Sequence, residues 1–266
     1  MVHLLLSHVH GPRDVPLIEQ TIGVYFDNVV EKFPTNEALR VRHQGIRWSY
    51  RELQSQVDNF AAGLLALGLE LGDRIGIWSS NNAEWVIAQF ASAKAGLILV
   101  NINPAYRLAE LEYSLNKVGC KALITAHQFK SSNYLEMLRQ LAPEIDDCDG
   151  LPLRAVRLPT LRTLICIDGD SKGFLNFSAV STFANPSHKQ QLAELASQLN
   201  CNDPINIQFT SGTTGFPKGA TLTHRNVLNN GFFVGEAMRL TSRDRVCIPV
   251  PLYHCFGMVL GNLACV

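Results

Sequence analysis

The strongest constraint on the fold of this chain is an alternation of short apolar runs with longer segments of helical periodicity. The apolar runs, which we interpret as strands, cover residues 73–78, 97–100, 122–124 and 163–167. Apolar residues recur at helical spacing between these runs, over 83–95, 108–118 and 134–141. Strands that are apolar on both faces and joined by helices are typical of a parallel sheet covered by helices. The sequence therefore predicts an α/β fold with mostly parallel sheets.

The segments around this alternation carry further local signals. A helix is predicted over 22–33, and a β-hairpin follows it. Ser49 and Glu52 have the spacing of a capping box, which predicts the start of another helix. Residues 143–159 are acidic and then proline-bearing, and residues 168–185 are rich in Gly, Ser and Asn. We interpret both of these segments as surface loops.

The last quarter of the chain continues the alternation. Residues 246–250 are predicted to form another strand, and the apolar residues from 258 onward are predicted to begin a buried helix. Cys247 and Cys255 are interpreted as small core residues.

Composition excludes several classes of function. Lysine plus arginine equals aspartate plus glutamate, at 23 each, which argues against nucleic acid or an anionic membrane as the main partner. The longest apolar stretch, 85–100, is interrupted by polar residues, so no transmembrane segment is predicted. The seven cysteines are irregularly spaced without a CxxC pair, which is typical of free thiols, and no metal site is predicted.

Residues 210–219, with the sequence TSGTTGFPKG, carry the chemistry that is easiest to interpret. Three glycines allow successive N–H groups to turn toward one point, and such a nest of dipoles attracts an anion. Four hydroxyl side chains can donate further hydrogen bonds, and Lys218 adds a positive charge. The sequence therefore predicts a polyphosphate site. The alternative is a flexible hairpin turn with a solvated lysine.

This stretch differs from a Walker A loop, which ends in Gly-Lys-Ser/Thr and leads into a helix. Here Pro217 precedes the lysine and Gly219 follows it. Period-2 alternation on both sides of the stretch predicts two strands that the loop connects.

The glycine-rich stretch resembles the phosphate-binding signature of the adenylate-forming superfamily, which includes acyl-CoA synthetases, firefly luciferases and the adenylation domains of peptide synthetases. Further resemblance to the medium-chain acyl-CoA synthetases of mitochondria lies in the stretches 203–209, 118–123 and 251–255. The resemblance covers nearly all of this chain and implies the N-terminal part of the large domain of such an enzyme.

The resemblance implies a two-step reaction. A fatty carboxylate attacks the α-phosphate of ATP to give an acyl-adenylate and pyrophosphate, and the thiol of coenzyme A then displaces AMP. The residues implied to hold the phosphates, with Mg²⁺ brought in by the nucleotide, are Thr210, Ser211, Gly212, Thr213, Thr214, Gly215, Lys218 and Gly219.

His254 is the second implied catalytic residue, beside Lys218. A histidine in this motif of the family lies close to the acyl carboxylate and the α-phosphate, where the imidazole can stabilise charge. From the residues alone, the alternative is a histidine packed in the core with its ring N–H satisfied.

The later motifs of the family are not found among these 266 residues: the Tyr-Gly-x-Thr-Glu stretch, the ribose aspartate, the hinge and the C-terminal lysine. We therefore expect residues 17–266 to form an incomplete AMP-binding domain without the C-terminal half and the lid domain. Residues 1–16 are expected to be a disordered terminus or the remains of a targeting segment. Mitochondria are the compartment that the resemblance implies, with the cytoplasm as the alternative.

Two other classes of function remain open. The chain could be a truncated product that binds partners without catalysis, or it could belong to a luciferase-like or carrier-protein branch. Apolar surface left uncovered by the absent half would also favour self-association.

Overall fold

A computed structural model describes residues 14–148, 152–210 and 217–266. The strands are β1 Glu37–Val41, β2 Ile46–Ser49, β3 Arg74–Trp78, β4 Ile98–Asn101, β5 Cys120–Thr125, β6 Gln128–Phe129, β7 Ser132–Asn133, β8 Thr163–Cys166, β9 Leu175–Asn176, β10 Pro204–Thr210 and β11 Lys218–Thr223. The α-helices are α1 Ile22–Lys32, α2 Tyr50–Ala66, α3 Ala83–Lys94, α4 Leu108–Val118, α5 Tyr134–Leu141, α6 Pro186–Gln198 and α7 His224–Ala237. A π-helix, Phe256–Asn262, follows α7.

A seven-stranded sheet organises the fold, with the strand order β11-β10-β4-β3-β5-β8-β9. Every neighbouring pair is parallel except β10 and β11, which are antiparallel. β1 and β2 form a separate antiparallel hairpin, as predicted. The predicted α/β fold with a mostly parallel sheet is therefore confirmed.

The sheet separates two apolar clusters, because successive side chains of a strand point to opposite faces. Ile75, Ile77 and Leu99 belong to the cluster that includes residues of α1, α2, α3 and α7. Trp78 and Val100 belong to the other cluster, with residues of α4 and α5. Covering the sheet on both faces explains why its central strands are continuously apolar.

The local helix signals are confirmed by the geometry of the helix ends. The Ser49 side chain accepts the Glu52 N–H while the Glu52 side chain accepts the Ser49 N–H, so α2 begins with the predicted capping box. Thr223 caps α7 in the same way by accepting the Asn226 N–H. Among the described residues, none of the helices is long and apolar enough to cross a bilayer.

The prediction of a strand over 246–250 is wrong, because the described structure has no strand between Thr223 and Phe256. Pro249 lacks an N–H to donate to a neighbouring strand. The carbonyl groups of Ile248 and Val250 are instead bound by one side-chain amide, that of Asn81.

The interpretation of 143–159 and 168–185 as simple surface loops is also wrong. Leu153, Ala155 and Leu158 are buried in the core, although residues 149–151 lie outside the described part. The second segment supplies the short edge strand β9 and a 3-10 helix, Phe177–Phe183. In both stretches, apolar side chains pack into the core although they follow no regular periodicity in the sequence.

The interpretation of Cys247 as a core residue is wrong, because this cysteine is exposed. Cys255 is half-buried and packs against the edge of the core. All seven cysteines are free thiols. The predicted terminal stub, 1–16, lies outside the described residues up to position 13, and residues 14–16 are exposed.

The segment that precedes α1 is held against α7 by two buried side chains. Asn229 accepts the Ile18 N–H at 2.7 Å and donates to the Ile18 carbonyl at 3.0 Å. His224 Nδ1 accepts the Ile22 N–H at 3.1 Å, and His224 Nε2 is buried without a partner among the described residues. Burial lowers the pKa of His224 to about 4, against a smaller opposing effect of Asp203.

The His224 pKa predicts a specific loss of stability in acid. The unfolded histidine takes up a proton near pH 6.5, whereas the folded one resists protonation until about pH 4. The free energy of unfolding should therefore be constant above pH 6.5 and fall by about 3 kcal/mol between pH 6.5 and 4 through this group. Urea unfolding of the parent and of His224→Asn, which keeps an acceptor for Ile22, measures the difference. An identical pH dependence in the two proteins would contradict the assignment.

Candidate functional site

Three parallel strands of the sheet end at one edge. β3 ends at Trp78, β4 at Asn101 and β10 at Thr210, and the strands are hydrogen-bonded in the order β10-β4-β3. Ligands of open α/β sheets bind at the carboxyl ends of the strands. The residues that follow these three strands are therefore the first candidates for a site.

The two residues that flank the central part of the glycine-rich stretch lie at this edge, Thr210 at the end of β10 and Lys218 at the start of β11. The two strands confirm the predicted alternation on both sides of the stretch, and Thr210 lies directly opposite Lys218 in their pairing. The Thr210 hydroxyl donates to the Lys218 carbonyl at 3.4 Å, which closes the base of the loop. Residues 211–216 lie outside the described part, so the following remain predictions: Ser211, Gly212, Thr213, Thr214 and Gly215.

The Lys218 side chain is available for an anion. Lys218 is exposed at the first position of β11, and no acidic side chain of the described residues forms an ion pair with it. Gly219 follows it opposite Phe209, and a Cβ at this position would lie 3.2 Å from Ile207 Cγ2. Gly219 thus allows β11 to lie close to the side chains of β10, a role distinct from the predicted contact with phosphate.

The segment that carries His254 is attached to the same edge by asparagine side chains. Asn81, three residues after the end of β3, donates to the Val250 carbonyl at 2.9 Å and accepts the Leu252 N–H at 2.7 Å. Asn101, the last residue of β4, donates to the Tyr253 carbonyl at 2.9 Å. These side chains replace the strand that the sequence predicted, and they bring His254 to the edge at which the glycine-rich stretch begins.

His254 is exposed, so the interpretation as a packed core histidine is wrong. Its Nδ1 accepts the Phe256 N–H at 3.2 Å, and the Cys255 Sγ lies 3.7 Å from the same nitrogen. A neutral ring whose Nδ1 is an acceptor carries its proton on Nε2. His254 can therefore offer an Nε2–H donor to an anionic or carbonyl oxygen.

The chain turns sharply after His254 and enters the π-helix. Gly257 makes this possible, because a Cβ at this position would lie only 2.4 Å from the Pro251 carbonyl oxygen. Helices of the π type occur frequently at functional sites. Met258 and Val259, in its first turn, are buried and fix the segment to the core.

Asn81, Asn101 and Asn206 were not singled out by the sequence patterns. Asn101 is a polar residue at the end of an otherwise apolar strand, and this departure from the strand pattern is a signal that sequence reasoning could have used. Asn206 occupies a polar position of the alternation in β10 and carries no such signal. Asn81 lies in a loop, where an asparagine is common and carries no such signal.

A separate cluster of charges lies away from this edge. The Lys94 ammonium, at the end of α3, contacts Asp27 at 2.6 Å and Asp58 at 2.5 Å in a cleft of about 520 Å³ between α1, α2, α3 and α6. Burial raises the pKa of Asp58, against the opposing effect of Lys94. Since α3 ends just before β4 begins, this cluster lies toward the opposite edge of the sheet and does not belong to the candidate site.

Within the described part of the chain, no group of three or more histidine, cysteine, aspartate or glutamate side chains could hold a metal ion.

A protein-family model described as "AMP-binding enzyme" matches residues 26–266. Among curated proteins, the mitochondrial medium-chain acyl-CoA ligase ACSF2 of Danio rerio is 46% identical over 262 residues, which cover 98% of this chain and 43% of that protein. The human protein of the same description is 44% identical over 265 residues, with the same two coverages.

The fold is also similar to that of solved structures. A long-chain-fatty-acid-CoA ligase, FadD1 from Archaeoglobus fulgidus, superposes with a TM-score of 0.74 at 20% sequence identity. The match covers 98% of this chain and 48% of that one. The chain thus spans less than half the length of the curated relatives it matches.

Proposed function

This chain belongs to the AMP-binding enzyme family, and we propose that it supplies the phosphate-binding and acid-activating part of a fatty acid–CoA ligase. One observation supports the proposal: Thr210 and Lys218, which flank the glycine-rich stretch, and the segment with His254 are both attached to the carboxyl edge of β3, β4 and β10. An anion site and an Nε2–H donor at the same edge of the sheet would suit a reaction in which a carboxylate attacks a polyphosphate.

In the first step, a carboxylate oxygen of the fatty acid attacks the α-phosphorus of ATP. The bond between the α-phosphorus and the bridging oxygen breaks, and pyrophosphate leaves with its electron pair. Lys218 would neutralise charge on the leaving pyrophosphate, and the N–H groups and hydroxyls of 210–216 would bind its oxygens. Phosphoryl chemistry of this kind depends on position and charge more than on a protein nucleophile.

In the second step, the thiol sulfur of coenzyme A attacks the acyl carbon, and AMP leaves. The role proposed for His254 belongs to the first step, in which it would donate Nε2–H to the oxygens around the acyl carboxylate and the α-phosphate while charge develops there. Mg²⁺ would enter with the nucleotide, because this ion prefers substrate phosphates and water to a cage of protein ligands.

The finer details of the proposal rest on the curated relatives. They are described as mitochondrial medium-chain acyl-CoA ligases, and we therefore propose a medium-chain fatty acid as substrate and mitochondria as the compartment. Because this chain spans 43% of their length, we propose that complete ligation needs contacts beyond those of residues 1–266.

Lys218 provides the first test of the function. In a chimera in which residues 1–266 replace the matching segment of the Danio rerio ligase, Lys218→Ala should slow ATP–pyrophosphate exchange by about 100-fold, because one charge-stabilising group is lost. The control is Lys117→Ala, which removes an exposed lysine from the last turn of α4, near the opposite edge of the sheet. Exchange at the parental rate in the Lys218 variant, with normal thermal unfolding, would contradict the proposed role.

His254 can be tested by separating the two steps in the same chimera. His254→Ala should lower the rate of adenylate formation by about 100-fold and largely spare thioester formation from supplied acyl-adenylate. His188→Ala is the matched control, because His188 Nδ1 also accepts a backbone N–H, at the start of α6. Equal losses in both steps would exclude a role specific to activation.

We also propose that the 266-residue chain self-associates and forms no acyl-CoA when it is alone. Phe233, Met238, Val246 and Phe256 are between 36% and 54% exposed, on α7 and on the chain that follows it. Such apolar surface drives association. Light scattering should show oligomers that Met238→Ser together with Phe256→Ser reduces, whereas Leu71→Ser, at an exposed leucine of another region, does not. A monodisperse parental monomer that produces acyl-CoA would refute both statements.

A further inference from the structure

A buried chain of amide hydrogen bonds connects the two segments of the candidate site. It begins at Asn206 in β10, whose Nδ2 donates to the Asn101 Oδ1 at 2.9 Å. Asn101 Nδ2 then donates to the Tyr253 carbonyl at 2.9 Å. The strand that leads into the glycine-rich stretch is thus linked, through one side chain of β4, to the residue before His254.

These amides occupy positions where apolar side chains would be the ordinary choice. Asn206 is 3% exposed and Asn101 is 2% exposed, within strands whose neighbouring residues are buried and apolar. Burial of an amide is unfavourable unless its groups are paired. Asn206 Nδ2 also donates to the Leu99 carbonyl at 2.9 Å, but Asn206 Oδ1 is buried without a partner among the described residues. Burying this pair of amides is therefore less favourable for the stability of the fold than burying two apolar side chains would be.

The segment before the π-helix depends on side chains for its position. The described structure contains no strand between Thr223 and Phe256, so no ladder of backbone hydrogen bonds fixes residues 248–255 to the sheet. Asn81 binds the chain at Val250 and Leu252, and Asn101 binds it at Tyr253. Of these two side chains, Asn101 binds the residue next to His254, and it is itself hydrogen-bonded to Asn206 of β10, the strand that leads into the glycine-rich stretch.

We propose that Asn101, held in place by Asn206, is a positioning residue that fixes His254 relative to the end of β10. The role rests on the proposed function, because it concerns the acid-activating step, but its structural part can be tested without catalysis. Donation to the Tyr253 carbonyl sets the plane of the 253–254 peptide bond and with it the direction of the His254 side chain. A misplacement of about 1 Å can cost on the order of 100-fold in rate.

The first arm of the test is spectroscopic and uses the chain itself, without nucleotide. In alkaline solution, ring ¹⁵N–¹H correlation spectra of the parent should show a single tautomer of His254 with its proton on Nε2, since Nδ1 accepts the Phe256 N–H. Asn101→Leu, which keeps the volume but removes the hydrogen bonds to Asn206, Tyr253 and the Met258 sulfur, should give mixed or broadened ring signals. Asn229→Leu is the matched control, because this buried asparagine binds the backbone of Ile18 and Arg225 and not the segment that carries His254.

The second arm measures ATP–pyrophosphate exchange in the chimera. Asn101→Leu should lower kcat about 10-fold with little change in KM for ATP, because the phosphate contacts are retained. In a His254→Ala background the same substitution should have no further effect, since a positioning residue acts through the group that it positions. Asn229→Leu should leave kcat unchanged in both backgrounds.

Several outcomes would overturn the proposal. Parental ring signals in Asn101→Leu would do so, and so would a loss of kcat that persists in full in the His254→Ala background. If Asn101→Leu does not fold, as judged by thermal unfolding against Asn229→Leu, Asn101→Ser takes its place and should give the same ring spectrum. A parental chimera without exchange activity would refute the proposed function, and the ring spectra would still decide whether Asn101 positions His254.

Discussion

The parallel pairing of β10 with β4 is the interaction on which the rest of the site depends. It aligns Asn206, Ile207 and Gln208 with residues 99–101, so that both strands end at one edge of the sheet. β10 then leads into the glycine-rich stretch, while the last residue of β4 binds the Tyr253 carbonyl. A shift of one residue in this pairing would turn every side chain of β10 to the other face and would separate Asn206 from Asn101.

The site combines a rigid frame, which is the seven-stranded sheet with the helices that cover it, and a segment that is attached to this frame by few contacts. The frame is buried on both faces of the sheet, and its strands are fixed by regular ladders of hydrogen bonds. The segment with His254 is attached through Asn81 and Asn101 and is anchored at its end by the buried π-helix. Catalytic groups are commonly placed on such loops at the edge of a rigid scaffold.

Most of the frame could be predicted from the sequence, because its signals are local. The capping box of Ser49 and Glu52 and the apolar periodicity of α3 depend on residues a few positions apart. The prediction of a strand over 246–250 failed because apolar residues indicate only that a segment tends to be extended. A strand also needs a neighbouring strand with which to form hydrogen bonds. Leu153 and Leu158 were missed for a similar reason, since their burial depends on the rest of the core and on no local repeat.

The candidate site was predictable in part. The position of the glycine-rich stretch between two strands followed from alternation on both sides, and the Lys218 pairing with Thr210 agrees with it. The roles of the asparagines did not follow, because their partners are remote in the sequence: Asn206 is 105 residues from Asn101, and Asn101 is 152 residues from Tyr253. Only the register of the sheet brings such residues together.

The most direct test of the account is a titration of the ¹⁵N-labelled chain with pyrophosphate, followed by amide ¹H–¹⁵N spectra. If the edge formed by β3, β4 and β10 is a polyphosphate site, the amides of Lys218 and Gly219 should shift with a saturable dependence, and those of residues 252–256 should respond with them. The amides around Lys94, in the cleft between the helices, should not move. Saturable shifts at Lys94 with none at Lys218 would place the anion elsewhere and contradict the account.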